Sequence, residues 1–184
     1  MKAFIFIENS VLKTILSAAQ LSLTVKRLAH QVLENNLSLA DTVIIGLQPR
    51  GVFLSDRIVN ELKKITDPST IRYGRLDITF YRDDVRKSLH IANATDIPFS
   101  IENKKVVLID DVLYTGRTIR AALDALLDFG RPSKVSLCVL IDRRFNRELP
   151  IQPDYTGKTI DTFISQKVKV CWTEKDAVDE VVLI

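Results

Sequence analysis

Cysteine is scarce in this chain, histidine is scarcer than a metal centre would want, and neither sign of charge prevails. The two cysteines among 184 residues, Cys138 and Cys171, are too few for a disulfide-stapled scaffold, and their spacing is not that of a metal-ligating pair. Each lies in or just after an apolar, strand-like run, which predicts buried, reduced thiols and a cytoplasmic setting. Of the two histidines, His90 sits in a polar stretch with no acidic or cysteine partner at metal spacing, so it is expected in solvent without a role. No apolar run approaches the ~20 residues of a membrane-spanning helix, and residues 1–7 are too short for a secretory signal. Lys and Arg number 26 against 23 Asp and Glu, a net charge of +3. That balance is too weak to declare nucleic-acid binding by itself, yet it permits an anionic substrate. With 46% hydrophobic and 27% charged residues, the composition is that of a soluble globular domain.

No internal repeat or low-complexity linker interrupts the chain, so a single domain over residues 1–184 is expected. Residues 11–36 carry helical spacing, with Leu21, Val25, Leu28 and Val32 on one face. Residues 41–47 read as a strand that stops at Gln48-Pro49-Arg50-Gly51, and residues 52–65 return to a helical pattern closed by Asp67-Pro68. A strand over 71–80 and a polar stretch from Tyr81 to about Asp96 come next. A second strand–helix pair follows, the helix ending near Gly130 and Pro132, and then an apolar strand at 135–141. This alternation predicts an α/β fold: a central, mostly parallel sheet with helices on both faces. Residues 142–184 are strand-like and loop-rich without strong helix. They are expected to cap the ligand end of the sheet, mainly through about 142–170. Trp172 and the apolar tail 181–184 predict packing against a sheet edge or a second subunit, and a homo-oligomer (dimer or tetramer) is expected.

The most informative chemistry lies at residues 106–118, Val-Val-Leu-Ile-Asp-Asp-Val-Leu-Tyr-Thr-Gly-Arg-Thr. A β-branched run stops at two adjacent carboxylates, Asp110 and Asp111, and a short loop through Val112, Leu113 and Tyr114 leads into a helix. Open α/β sheets bind ligands at such strand ends. Backbone N–H groups of Thr115, Gly116, Arg117 and Thr118 at a helix start suit a phosphate. Asp110 and Asp111 are acceptors and suit sugar hydroxyls or magnesium. Together they imply a sugar-phosphate ligand. The opening glycine and the lysine of the common Gly-x-x-x-x-Gly-Lys-Ser/Thr phosphate loop are missing. The run instead resembles the signature of type I phosphoribosyltransferases, which bind 5-phosphoribosyl-1-diphosphate (PRPP) as its magnesium complex.

That resemblance makes three further segments legible. Gln48-Pro49-Arg50-Gly51 also follows a strand; Gly51 permits close backbone approach, and Arg50 suits bidentate binding of the diphosphate. Residues 82–96 read as a lid that excludes water and carries Arg82 toward the leaving group. Ile141-Asp142-Arg143 and Ser165-Gln166-Lys167-Val168 are placed to read a small nucleobase through hydrogen bonds.

The resemblance narrows on four motifs: residues 76–84, residues 110–118, Asp128-Phe129-Gly130-Arg131-Pro132-Ser133, and Arg147-Glu148-Leu149-Pro150-Ile151. From about Lys26 to Val170 the chain resembles the PyrR family, pyrimidine-operon RNA-binding attenuators with uracil phosphoribosyltransferase activity. The resemblance implies that uracil and PRPP yield UMP and diphosphate with Mg2+. It implies that Pro49, Arg50 and Gly51 form the diphosphate loop, and that residues 110–118 hold the ribose, its metal and its 5-phosphate. Arg143 and Val168 would then flank the base. On this reading Asp110, Asp111, Arg50 and Arg82 would carry the catalytic roles, and no residue stands out as a general base. It further implies an mRNA-leader surface on Lys26, Arg27, His30, Arg147 and Lys158. Helical spacing sets Lys26, Arg27 and His30 away from Leu28 and Val32, which equally fits a solvated face with His30 near Glu34. The chain departs from the family at Pro49, where threonine is usual, at Asn35 and Gln152, where arginine is frequent, and in the one-residue-longer turn Arg144-Phe145-Asn146. Two other readings stay open: an RNA-binding attenuator with residual catalysis, and a phosphoribosyltransferase for another nucleobase.

Overall fold

The computed structural model describes residues 13–37, 39–82 and 94–184. Five strands form one parallel sheet: β2 (Thr42–Leu47), β3 (Arg72–Leu76), β4 (Lys105–Leu113), β5 (Lys134–Arg144) and β6 (Tyr155–Asp161), in the order β3-β2-β4-β5-β6. Helices α1 (Ala18–Asn35) and α2 (Gly51–Ile65) cover one face and α3 (Arg117–Leu126) the other. Because both faces are covered, the central strands are apolar throughout rather than alternating. Successive residues of β2 and β4 divide between the two cores. Ile44, Val107 and Ile109 meet α1 and α2, whereas Val43, Ile45, Val106 and Leu108 meet Ile119, Ala122 and Ala125 of α3.

The helix expected over 11–36 starts later than its spacing suggests. Ser17 caps α1 through a capping box with Gln20, whose side chain accepts the Ser17 N–H at 3.0 Å. The residues before it form β1 (Lys13–Leu16), which pairs antiparallel with β8 (Glu180–Leu183). The strand expected over 71–80 ends at Leu76, because the Asp77 carboxylate accepts the Thr79 N–H at 2.6 Å and turns the chain. Most of the polar stretch expected as a lid, residues 83–93 with His90, lies outside the described residues.

The expected cap at 142–170 is divided differently. Residues 142–144 complete β5, and β6 pairs parallel with β5 as the edge strand of the main sheet. A small separate sheet joins distant pieces instead, in the order β1-β8-β7, with β7 spanning Val168–Cys171. The apolar tail is thus the middle strand of that sheet. Trp172 is fully buried beneath it, with the Arg57 guanidinium 4.7 Å from its ring; Arg57 is held by Glu174 of the short helix α4 (Thr173–Asp176) and by Asp179. Cys138 and Cys171 are buried and free, and burial pushes the Cys138 thiol up to about 12, which keeps it protonated and inert. No helix among the described residues is long and apolar enough to cross a membrane.

Ser17 sits where β1 hands over to α1, so its cap is a sensitive joint. Ser17→Ala is expected to cost about 1 kcal/mol, which for a chain of this size lowers Tm by about 2–4 °C. Thermal unfolding followed by circular dichroism measures it; an unchanged Tm would remove the capping box as a stabilising feature.

Candidate active site

Parallel strands all point one way, so the loops after β2, β4 and β5 converge on one edge. After β2 the chain passes through a cis Gln48–Pro49 peptide into α2. Gly51 begins that helix hard against β4: a Cβ there would lie 2.7 Å from the Ile109 carbonyl oxygen and 2.9 Å from Asp110 Cα. No larger residue fits, so the glycine sets the separation between the Arg50 loop and the acidic pair. Arg50 Nε donates to Asp111 Oδ2 at 3.3 Å, its NH2 group donates to the Val170 carbonyl, and Asp176 Oδ2 lies 3.6 Å away.

Asp110 and Asp111 belong to β4 itself and are each 8% exposed. The Asp111 N–H donates to Asp110 Oδ1 at 2.9 Å. Burial, followed by the neighbouring charge of Asp111, raises the Asp110 carboxyl well above the ordinary range, while Arg82 opposes the rise. Burial also raises Asp111, opposed chiefly by Arg50. Two buried carboxylates that resist ionisation fit a ligand that brings compensating positive charge or hydroxyl donors. Among the described residues no group of three or more His, Cys, Asp or Glu is arranged to hold a metal ion. Two carboxylates are oxygen donors of the kind magnesium takes, and as a pair they would hold it only with a ligand supplying most of its oxygens.

Gly116 follows, with φ +95° at the N-cap of α3, a conformation glycine adopts without strain. Residues 112–119 and Arg82 line a cavity of about 240 Å³. The expected phosphate-loop residues thus surround one small polar chamber, with Gly116 buried, Val112, Tyr114, Thr115 and Thr118 half-buried and Arg117 exposed.

Arg143, 5% exposed on β5, lies with its guanidinium 3.9 Å from the Tyr114 ring centre. Its Nε donates to Thr162 Oγ1 at 3.0 Å and its NH2 to the Gln166 carbonyl at 2.9 Å. Segment 166–170 thereby runs from Arg143 past half-buried Val168 to Arg50. Val170 and Asp176 join the site without having been expected there. Asp176 carried no local signal, being one of several acids near the end of the chain.

The cations expected on an RNA face separate into two groups. Lys26 and His30 are exposed on α1. Beside them Arg27 donates to the Thr156 carbonyl at 3.2 Å and to the Gly157 carbonyl, while Lys158 Nζ donates to the Ile15 carbonyl at 2.9 Å. These two tie α1 and β1 to β6. Arg147 lies apart, turned inward onto Asp142 and the Tyr114 carbonyl.

Comparison with known proteins agrees with this geometry. The phosphoribosyl transferase domain family matches residues 11–175. The Bifunctional protein PyrR of Chloroflexus aurantiacus is 47% identical over 174 residues, covering 94% of each chain. That of Enterococcus faecalis is 43% identical over 175 residues, 93% of this chain and 96% of its own. Among solved structures, a hypoxanthine phosphoribosyltransferase from Staphylococcus aureus superposes with a TM-score of 0.68 at 20% identity, over 92% of this chain and 90% of that one. The Trypanosoma cruzi enzyme with its product IMP gives 0.70 at 16% identity, over 100% and 93%. At those identities the structures speak for the fold.

The acidic pair generates a test of opposite signs. A carboxyl raised on folding subtracts stability at neutral pH and returns it as pH falls through the raised value toward 3.8. Asp110→Asn removes one charge in place. It is expected to raise the Tm of the ligand-free protein while lowering turnover by about 10²-fold or more. A falling Tm by calorimetry, or retained turnover, contradicts the assignment.

Proposed function

This chain belongs to the phosphoribosyl transferase domain family and, within it, to the PyrR proteins, and from that premise we propose that it converts uracil and PRPP to UMP and diphosphate. The observation that carries the reading is the convergence of two loops on the acidic end of β4: Arg50 on Asp111, Asp110 beside Asp111 in the strand, and the Gly116 loop a few residues on. Each matches one part of PRPP. The first turn of α3 with Thr115 and Gly116 takes the 5-phosphate. Asp110 and Asp111 accept from the ribose hydroxyls and hold the substrate's metal complex. Arg50, free to exchange the Val170 carbonyl and the carboxylates for diphosphate oxygens, takes up the charge that develops on the leaving group, and Arg82 adds to it. Magnesium, when bound with PRPP, supplies further charge neutralisation at the diphosphate. Arg143 and Val168 flank the base. Catalysis then rests on positioning and electrostatics, without a covalent intermediate. Two free, buried thiols support a reducing compartment, the cytoplasm.

The test is diphosphate release from PRPP and Mg2+ across a panel of bases, with UMP identified by mass. Release that requires uracil is expected; release with hypoxanthine or guanine alone would transfer the chain to purine salvage.

A second activity, binding of a pyrimidine-operon mRNA leader, is supported by Lys26 and His30 exposed on α1 next to Arg27 and Lys158. Each phosphate contact contributes about 0.7–0.9 to the slope of log K against log salt. Lys26→Ala is expected to reduce that slope by about one contact, measured by filter binding across salt concentrations. An unchanged slope excludes Lys26 from the RNA face.

A further inference from the structure

The turn that follows β5, residues 145–151, reaches across to the phosphate loop and grips it residue by residue. The Arg147 guanidinium donates to the Tyr114 carbonyl and, from its other edge, to the Asp142 carboxylate. The N–H groups of Glu148 and Leu149 both donate to the Thr115 carbonyl, at 3.0 and 3.2 Å. Arg117 Nε donates to Glu148 Oε2 at 2.6 Å. Leu149 and Ile151 pack so closely that a Cβ on Gly116 would meet each at 3.3 Å. The turn is itself pinned, since Asn146 Nδ2 donates to the Thr162 carbonyl at 3.2 Å. Arg147 and Asp142 are both largely covered, with side chains 20% and 12% exposed.

These contacts bear on the ligand through the planarity of the peptide. In a trans peptide the carbonyl of one residue and the N–H of the next point in opposite directions. The one cis bond among the described residues is Gln48–Pro49, so the peptides after Tyr114 and Thr115 are trans. Drawing the Tyr114 carbonyl toward Arg147 therefore turns the Thr115 N–H away from the turn. Drawing the Thr115 carbonyl toward Glu148 and Leu149 does the same for the Gly116 N–H. Both residues line the small cavity.

We propose that Arg147 is a positioning residue of the sugar-phosphate subsite, anchored by Asp142, that orients the Thr115 amide toward the 5-phosphate. The inference rests on the phosphoribosyl reading of the site and deepens it. It also gives Arg147 an inward duty in place of the RNA contact expected from its position in the sequence.

The experiment compares two probes by isothermal titration with Mg2+ present: PRPP, which carries the 5-phosphate, and diphosphate, which does not. Arg147→Gln is expected to weaken PRPP about tenfold and to leave diphosphate within about twofold. Arg147→Lys, which keeps the charge but not the fork, is expected to fall between. In turnover the change appears in KM for PRPP, with kcat nearly held. Equal loss for both probes, or no loss of PRPP by a folded Arg147→Gln, overturns the proposal. If Arg147→Gln does not fold, Asp142→Asn decides, with PRPP weakened about threefold expected and no selective loss overturning. Wild-type protein that binds PRPP no more tightly than diphosphate would sink the phosphoribosyl reading itself, an outcome separable from failure of Arg147 alone.

Discussion

Two adjacent carboxylates lie within a central strand rather than beyond its end, and much of the site is arranged around holding them there. Asp110 and Asp111 occupy β4 in register with Val139 and the residues beside it on β5. An isolated charge at such a place costs several kcal/mol. Its relief is local: Arg50 and Arg82 supply charge, and the strand's own N–H groups supply hydrogen bonds. Gly51 is the steric condition for that relief, because only without a Cβ does the Arg50 loop come close enough to β4. Stability surrendered at the pair is available again to any ligand that supplies positive charge or hydroxyl donors there, which favours the occupied state.

The small antiparallel sheet acts on the same centre from the opposite side. Val170 in β7 presents its carbonyl to Arg50, and Asp176 in α4 stands behind it, itself held by Lys169 at 3.2 Å and by the Trp172 N–H at 3.1 Å. These contacts hold Asp176 below the ordinary carboxylate range, led by the Trp172 N–H, so it is charged at neutral pH. The sheet also carries Trp172 into the main core, where Arg57 and Phe53 of α2 pack against it. Residues near both ends of the described chain thereby fix the position of a loop near residue 50.

A recurrent feature is that cations conspicuous in the sequence are engaged by backbone carbonyls. Arg27, Arg50, Arg143, Arg147 and Lys158 each donate to at least one carbonyl of a distant segment. A guanidinium offers five donors in a rigid fork, so it bridges two segments at once while satisfying carbonyls that would otherwise lack partners. In this chain that property ties β6 to α1 and the turn after β5 to the loop before α3. Basic residues that the family resemblance put on one RNA face therefore divide between exposed Lys26 and His30 and inward Arg147.

The sequence by itself determined the parts whose cause is local. The apolar runs of β2, β4 and β5, the acids that stop one of them, the Thr-Gly that opens α3 and the helical stripe of α1 each act within a few residues, and they are legible with the parallel sheet they imply. Ser17 and Gln20 are an equally local signal for the true start of α1, one that the helical pattern expected over 11–36 overruns. Only the tertiary structure decided the rest. That Lys13–Leu16 is a strand depends on β8 about 170 residues away, and that Tyr155–Asp161 belongs to the main sheet depends on the free edge of β5. Asp176 reached Arg50, and Arg147 reached Tyr114, through chain paths that no local pattern encodes. Strand pairing and side-chain bridging are contacts between surfaces, and which surfaces meet is set by the packing of the whole chain.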